Sequence, residues 1–151
     1  MSLDDFEFYD VALSCASEDR SYAEPIYCRL LETGAHIYYD DDNEATTWGR
    51  NLTEHLNGIY GTRARYCLML VSANYARKMW TNYERKIALE RAMSQRGTEY
   101  ILPVKLDDTE LEGLPTSVVY VPISKGETHI ASLVTEKLNR TGQQLRRRAP
   151  E

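Results

Sequence analysis

"YCLMLVS", residues 66–72, decides the fold class. A strand with one wet face alternates apolar and polar residues, but this run is apolar from Tyr66 to Val71, as expected of a central strand covered on both sides. "YDVALSC" (9–15) has the same nearly continuous character. Helix-like segments lie between the strand-like ones. "SYAEPIYCRLLETG" (21–34) places Ile26, Leu30 and Leu31 at helical spacing. Ser21 and Glu24 resemble a capping box, which puts Pro25 in the first turn, and Gly34 is a stop signal. "HIYYD" (36–40) is the second strand and runs into the acidic Asp40-Asp41-Asp42. "DDNEATTWG" (41–49) is polar and aperiodic, hence a loop, and "RNLTEHLNGIY" (50–60) predicts a helix with Leu52, Leu56 and Ile59 on one face.

Beyond the central strand, "ANYARKMWTNYERKIALERAMSQRG" (73–97) predicts a long helical segment that can break at Thr81-Asn82 and stops at Gly97. "YILPVKLD" (100–107) is a fourth strand, and Pro103 puts it near an edge or at a bulge. "VVYVPI" (118–123) is a fifth strand, and "HIASLVTEKLNR" (129–140) a closing helix. Alternating strands and helices with short links specify an α/β domain, a doubly wound parallel sheet with helices on both faces. In such sheets ligands bind beyond the carboxyl ends of the strands. Those ends are Ser14-Cys15-Ala16, Asp40 to Asn43, and Ser72 to Asn74, beside the segment that carries Glu84.

The chain has 151 residues, 42% hydrophobic and 27% charged, in the range of one globular domain with a real core. A net charge of −5 argues against non-specific nucleic-acid binding. No apolar run reaches the roughly 18 residues that span a bilayer. "MSLDDFEFYD" lacks the features of a secretory signal. Cys15, Cys28 and Cys67 are odd in number and widely spaced, so neither a disulfide framework nor a zinc site is expected; they read as small residues in a reducing cytoplasm. His36, His55 and His129 show no metal-ligand spacing. The expected organisation is an N-terminal tail (1–8), a domain (9–140) and a polar, basic tail or linker stub (141–151).

Motifs that cradle phosphates (GxxxxGK[ST], GxGxxG) and the GxSxG nucleophile turn are missing. Carboxylates and aromatics at the strand ends remain. Trp80, Glu84, Ile87 and Ala88 fall on one helical face by spacing. A fixed carboxylate suits cleavage at a sugar's anomeric carbon, where the transition state is oxocarbenium-like and positive. By spacing alone, a Glu flanking an apolar face is an ordinary solvated boundary residue.

Four stretches, in order, resemble the Toll/interleukin-receptor (TIR) domain, bacterial type: "YDVALSCASEDR" (9–20), "GAHIYYDDDN" (34–43), "YCLMLVSANYARKMWTNYE" (66–84) and "ILPVKLDD" (101–108). The resemblance implies a flavodoxin-like five-stranded parallel sheet of order 2-1-3-4-5. It also implies cleavage of the nicotinamide–ribose bond of NAD+, with NAD+ as substrate and no separate cofactor or metal. Water or the adenine of the same molecule would then give ADP-ribose or a cyclic isomer. The glutamate of the Trp-x-x-x-Glu motif, here Glu84, is implied as the catalytic residue. Ser14, Cys15 and Ala16 would line the substrate pocket, Asp40 and Trp48 would contribute from the so-called BB loop, and Trp80 would pack under Glu84, while Tyr39 is a strand residue. Implied partners are other TIR domains by self-association and a sensor module or downstream effector, in a cytoplasmic defence or signalling role without direct nucleic-acid or membrane binding. Cys15 stands at the pocket mouth where bacterial members usually have His. The loop keeps Gly49 and Leu52 but has Arg50 where many members carry Asp, and an unusual Trp48. A non-enzymatic TIR–TIR scaffold is the alternative, and a transferase acting on nucleosides a third reading.

Overall fold

The computed structural model describes residues 8–39, 48–49, 51–114 and 118–148. Five parallel strands form one sheet in the order β2-β1-β3-β4-β5. The strands are β1 (Tyr9–Ser14), β2 (Ile37–Tyr39), β3 (Ala64–Val71), β4 (Ile101–Lys105) and β5 (Val121–Pro122). The helices are α1 (Arg20–Glu32), α2 (Leu52–Gly58), α3 (Ala73–Lys78), α4 (Tyr83–Arg96) and α5 (Glu127–Arg148). Sheet order and parallel direction are those expected from the sequence.

Successive side chains of a strand point to opposite faces, and here this period sorts the core into two layers. Val11, Leu13, Leu68, Leu70, Ile37 and Tyr39 pack with Ala23, Ile26 and Leu30 of α1 and Ile130 and Val134 of α5. Ala12, Tyr38, Cys67, Met69 and Val71 pack the other way, with Leu56 of α2 and Ala88, Leu89 and Ala92 of α4. β3 is central and buried from Cys67 to Val71, as its continuous apolar run requires.

Several local features differ from expectation. α1 begins at Arg20, straight out of a 3-10 turn at Ser17–Asp19, so Asp19 holds the N-cap position, Ser21 is helical and Pro25 lies inside the helix rather than in its first turn. The segment 73–97 does break, because Asn82 accepts from the Arg85 N–H at 3.0 Å and caps a new helix, α4. Trp80 therefore lies in the turn between α3 and α4, not on one helical face with Glu84. Gly97, with φ +90°, ends α4 as its N–H bonds the Met93 carbonyl. β5 is only two residues long and pairs with Val104 and Lys105, so at Pro103 the sheet has a neighbour on one side only, which is how a proline fits there. α2 is capped by Asn51, whose side chain accepts from the Glu54 N–H, and buries Leu56; the Leu52 side chain lies outside the described residues. α5 runs on to Arg148, past residue 140 where the polar tail was expected to begin. Among the described residues no helix is long and apolar enough to cross a membrane.

Candidate functional site

Parallel strands bring the ends of β1 and β3 to the same edge of the sheet, where the chain turns into α1 and α3. Ser14 is the last residue of β1 and is fully buried. It belongs to the Ala12 side of the strand, so its hydroxyl meets the Tyr75 phenol, 3.0 Å away, in the layer of α2–α4. Cys15 follows and points the other way, into the layer of α1 and α5, with Sγ 3.7 Å from the Tyr39 hydroxyl. The thiol is thus a core group and not a group at a pocket mouth; strand alternation is the reason. Burial, and then the neighbouring Cys15, raise the Tyr39 pKa above its ordinary value, so the phenol stays neutral. Ala16 is also fully buried.

The second half of the site comes from the β3–α3 connection. Ser72 caps α3, its Oγ accepting from the Tyr75 N–H at 3.0 Å. That same hydroxyl donates to Oδ2 of Asp19, and Asn74 Nδ2 donates to Oδ1 at 3.2 Å. Asp107, beyond β4, accepts from the Thr109 and Ala73 N–H groups at 2.9 Å, and hydrogen bonding by the Thr109 side chain, then by the Ala73 N–H, holds its carboxyl below the ordinary range. Asp19 and Tyr75 were not among the sequence-derived site residues. The stretch "SED" signals a helix start, and nothing in it tells that the carboxylate reaches a serine 53 positions away.

The Tyr75 carbonyl accepts from both Met79 and Trp80 N–H groups at 2.9 Å, which turns the chain out of α3. Trp80 is 5% exposed, and its indole N–H donates to the Glu112 carbonyl at 2.7 Å. The ring is a packing element, with the Lys86 ammonium 5.8 Å from its centroid. Glu84 follows in the first turn of α4, half-buried, where the free N–H groups of the helix favour a negative charge. Tyr83 beside it is exposed. Trp48 presents its ring to solvent, 87% exposed, before Gly49 with φ +84°. Asp40, residues 41–47 and Arg50 lie outside the described residues. The structure therefore unites Ser14 with the approach to Trp80 and Glu84, turns Cys15 to the opposite layer, and leaves Trp48 on the surface. Two cavities, about 770 Å³ between α1 and α5 and about 580 Å³ between β4–β5 and α5, are lined by none of these residues.

The family model of the TIR domain matches residues 11–135. The chain belongs to the TIR domain family. The 3' cyclic ADP-D-ribose synthase AaTIR of Aquimarina amphilecti is 40% identical over 133 residues, which cover 87% of this TIR domain chain and 40% of that protein. The 2' cyclic ADP-D-ribose synthase AbTIR of Acinetobacter baumannii is 31% identical over 98 residues, 64% of this chain and 34% of that protein. The chain thus spans well under half the length of these relatives. The TIR domain of the Toll-related receptor TRR-2 of Hydra magnipapillata superposes with a TM-score of 0.63 at 16% identity, covering 88% of this chain and 97% of that one, a likeness of fold.

Proposed function

We propose that this TIR domain cleaves NAD+ at the nicotinamide–ribose bond in the cytoplasm, with Glu84 as the catalytic carboxylate, and that it does so when self-associated, in bacterial defence or signalling. The observation that carries the reading is Glu84 itself: a half-buried carboxylate in the first turn of α4, following a buried tryptophan pinned to the 111–114 loop. Relatives at 31–40% identity that are named for cyclic ADP-ribose synthesis support the same chemistry.

In the reaction the C–N bond breaks and its electron pair passes to the nicotinamide nitrogen, which neutralises a cationic leaving group, so no strong general acid is required. Positive charge then develops on the ribose. Glu84 engages the ribose hydroxyls and stabilises that charge electrostatically. Attack by water gives ADP-ribose; attack by another group of the same molecule gives a cyclic isomer. Ser14 and Ala16 form the β1 side of the substrate crevice, with Cys15 behind them in the scaffold layer, Trp80 supports Glu84 from beneath, and Asp40 and Trp48 act from the loop before α2. Other copies of the domain are the partners, with a sensor module or downstream effector beyond them.

The test is nicotinamide release from NAD+ by the full chain, dilute and then clustered on beads, beside Glu84→Ala. Release that rises on clustering and vanishes in the variant is the expected result. No release from folded wild-type protein in either state rejects the enzyme and leaves a TIR–TIR interaction module.

A further inference from the structure

Asp19 sits at the N-cap position of α1, where an aspartate ordinarily accepts hydrogen bonds from the first N–H groups of its own helix. Here it makes no such bond. Both carboxylate oxygens are turned across the sheet edge to the β3–α3 connection, Oδ2 to the Ser72 hydroxyl and Oδ1 to the Asn74 amide. The residue is 5% exposed, so the polar tie is made out of water. A local cap is given up for two long-range bonds, which a structural need of α1 alone does not explain.

The tie belongs to a closed circuit. An ionised carboxylate only accepts, so the single Ser72 proton is committed to Asp19, and the lone pairs of Ser72 are left to accept from the Tyr75 N–H. Tyr75 carries its phenol back to Ser14 on β1, and Ser14 leads through Ala16 to Asp19. The Tyr75 carbonyl, at the same residue, fixes the N–H groups of Met79 and Trp80 and so the exit of the chain toward Asn82 and Glu84. A second link lies outside, where the Lys78 ammonium is 2.7 Å from the Glu18 carboxylate. α3 is therefore clamped to the β1–α1 turn at both its Ser72 and Lys78 ends.

We infer that Asp19 is a positioning residue for Glu84: through Ser72 and Tyr75 it sets the α3–α4 segment against the β1 loop, and so holds the carboxylate where the ribose must lie. The inference rests on the NAD+-cleaving reading for its catalytic consequence, but its geometric content is independent of it. Misplacing a reacting group by about 1 Å costs on the order of 100-fold in rate.

The experiment uses the full chain with Asp19→Ala, Asp19→Asn, and the exchanged pair Asp19→Asn with Asn74→Asp, which swaps amide and carboxylate across the same contact. Nicotinamide release by clustered protein is measured over a range of NAD+ concentrations, below the unfolding temperature of each variant. Asp19→Ala is expected to lower kcat by about 10- to 100-fold while KM stays within about threefold, and the exchanged pair to recover most of the loss. Backbone hydrogen exchange is followed in parallel. Residues 73–84 are expected to exchange faster in Asp19→Ala, with the sheet and α5 unchanged. Unchanged exchange of 73–84 in a folded variant overturns the inference, as does an unchanged kcat. If wild-type protein releases no nicotinamide, the catalytic consequence falls with the enzyme reading, and the exchange result alone decides whether Asp19 positions the segment.

Discussion

The two layers that flank the sheet are built alike in apolar content and differently in polar content. The layer of α1 and α5 is closed by aliphatic contact, and its polar groups, the Cys15 thiol and the Tyr39 phenol, face each other inside it. The layer of α2–α4 is crossed near the carboxyl edge by the Ser14–Tyr75 bond, joined through Ser72 to Asp19, and carries Trp80 and Glu84 at its rim. Ser14 and Cys15 are neighbours in sequence yet belong to different layers. The difference teaches that one face is scaffold and the other is where a reacting group is held in place, with the division made by the two-residue period of β1.

The comparison breaks most visibly at Trp80. Trp80→Ala removes a buried indole and is expected to cost about 3–5 kcal/mol in a denaturant titration, taking activity with it. Trp80→Phe keeps most of the packing and loses the bond to the Glu112 carbonyl, for about 1 kcal/mol, or roughly 2–4 °C in Tm. A smaller and sharper contrast is a pair of tyrosines. Tyr75→Phe strands the buried Ser14 hydroxyl and is expected to cost about 1–3 kcal/mol and to slow nicotinamide release. Tyr39→Phe, on the scaffold side, gives up a long contact to sulfur and a hydrogen bond with the Arg20 side chain, with a cost of about 1 kcal/mol and no change in rate; equal losses of rate from the two would erase the distinction.

The smallest effect concerns acid. The Lys78 ammonium, and then the Ser17 hydroxyl, hold the Glu18 carboxyl down to about 2. A lowered folded pKa means that this tie is present above the ordinary carboxylate range and is lost as the pH falls toward 2. The pair is on the surface, so Lys78→Ala is expected to raise the Glu18 titration, followed by NMR, toward the ordinary range, with the Ser17 bond still in place, while barely moving Tm. A Glu18 titration unmoved by the substitution would rule out the pair as its cause.

Much of this was legible in the sequence, for physical reasons. Continuous apolar runs at 9–15 and 66–72 carry the burial of both faces, so strand number, direction and order follow from the pattern and the TIR resemblance. The break at Thr81-Asn82 was legible as a point of weakness, because Asn is a strong cap, but its consequence for Trp80 was not: helical spacing assumes an unbroken helix. Pro25 misled in the other direction, since a 3-10 turn feeding directly into α1 moves the helix start ahead of Ser21. The Asp19–Ser72 and Ser14–Tyr75 bonds join residues 53 and 61 positions apart, and no local pattern encodes a contact at such range. The orientation of Cys15 was available from the alternation of β1 and needed only the layer assignment of its neighbours.

The most direct test of the division between the layers compares Glu84→Gln with Cys15→Ala for nicotinamide release by clustered protein, with thermal unfolding measured on both. Glu84→Gln is expected to lose about 100- to 1,000-fold in rate with Tm unchanged, and Cys15→Ala to stay within about twofold of wild type. A Glu84→Gln variant that keeps its rate, or a Cys15→Ala variant that loses it while folded, would contradict the assignment of the chemistry to the α2–α4 face.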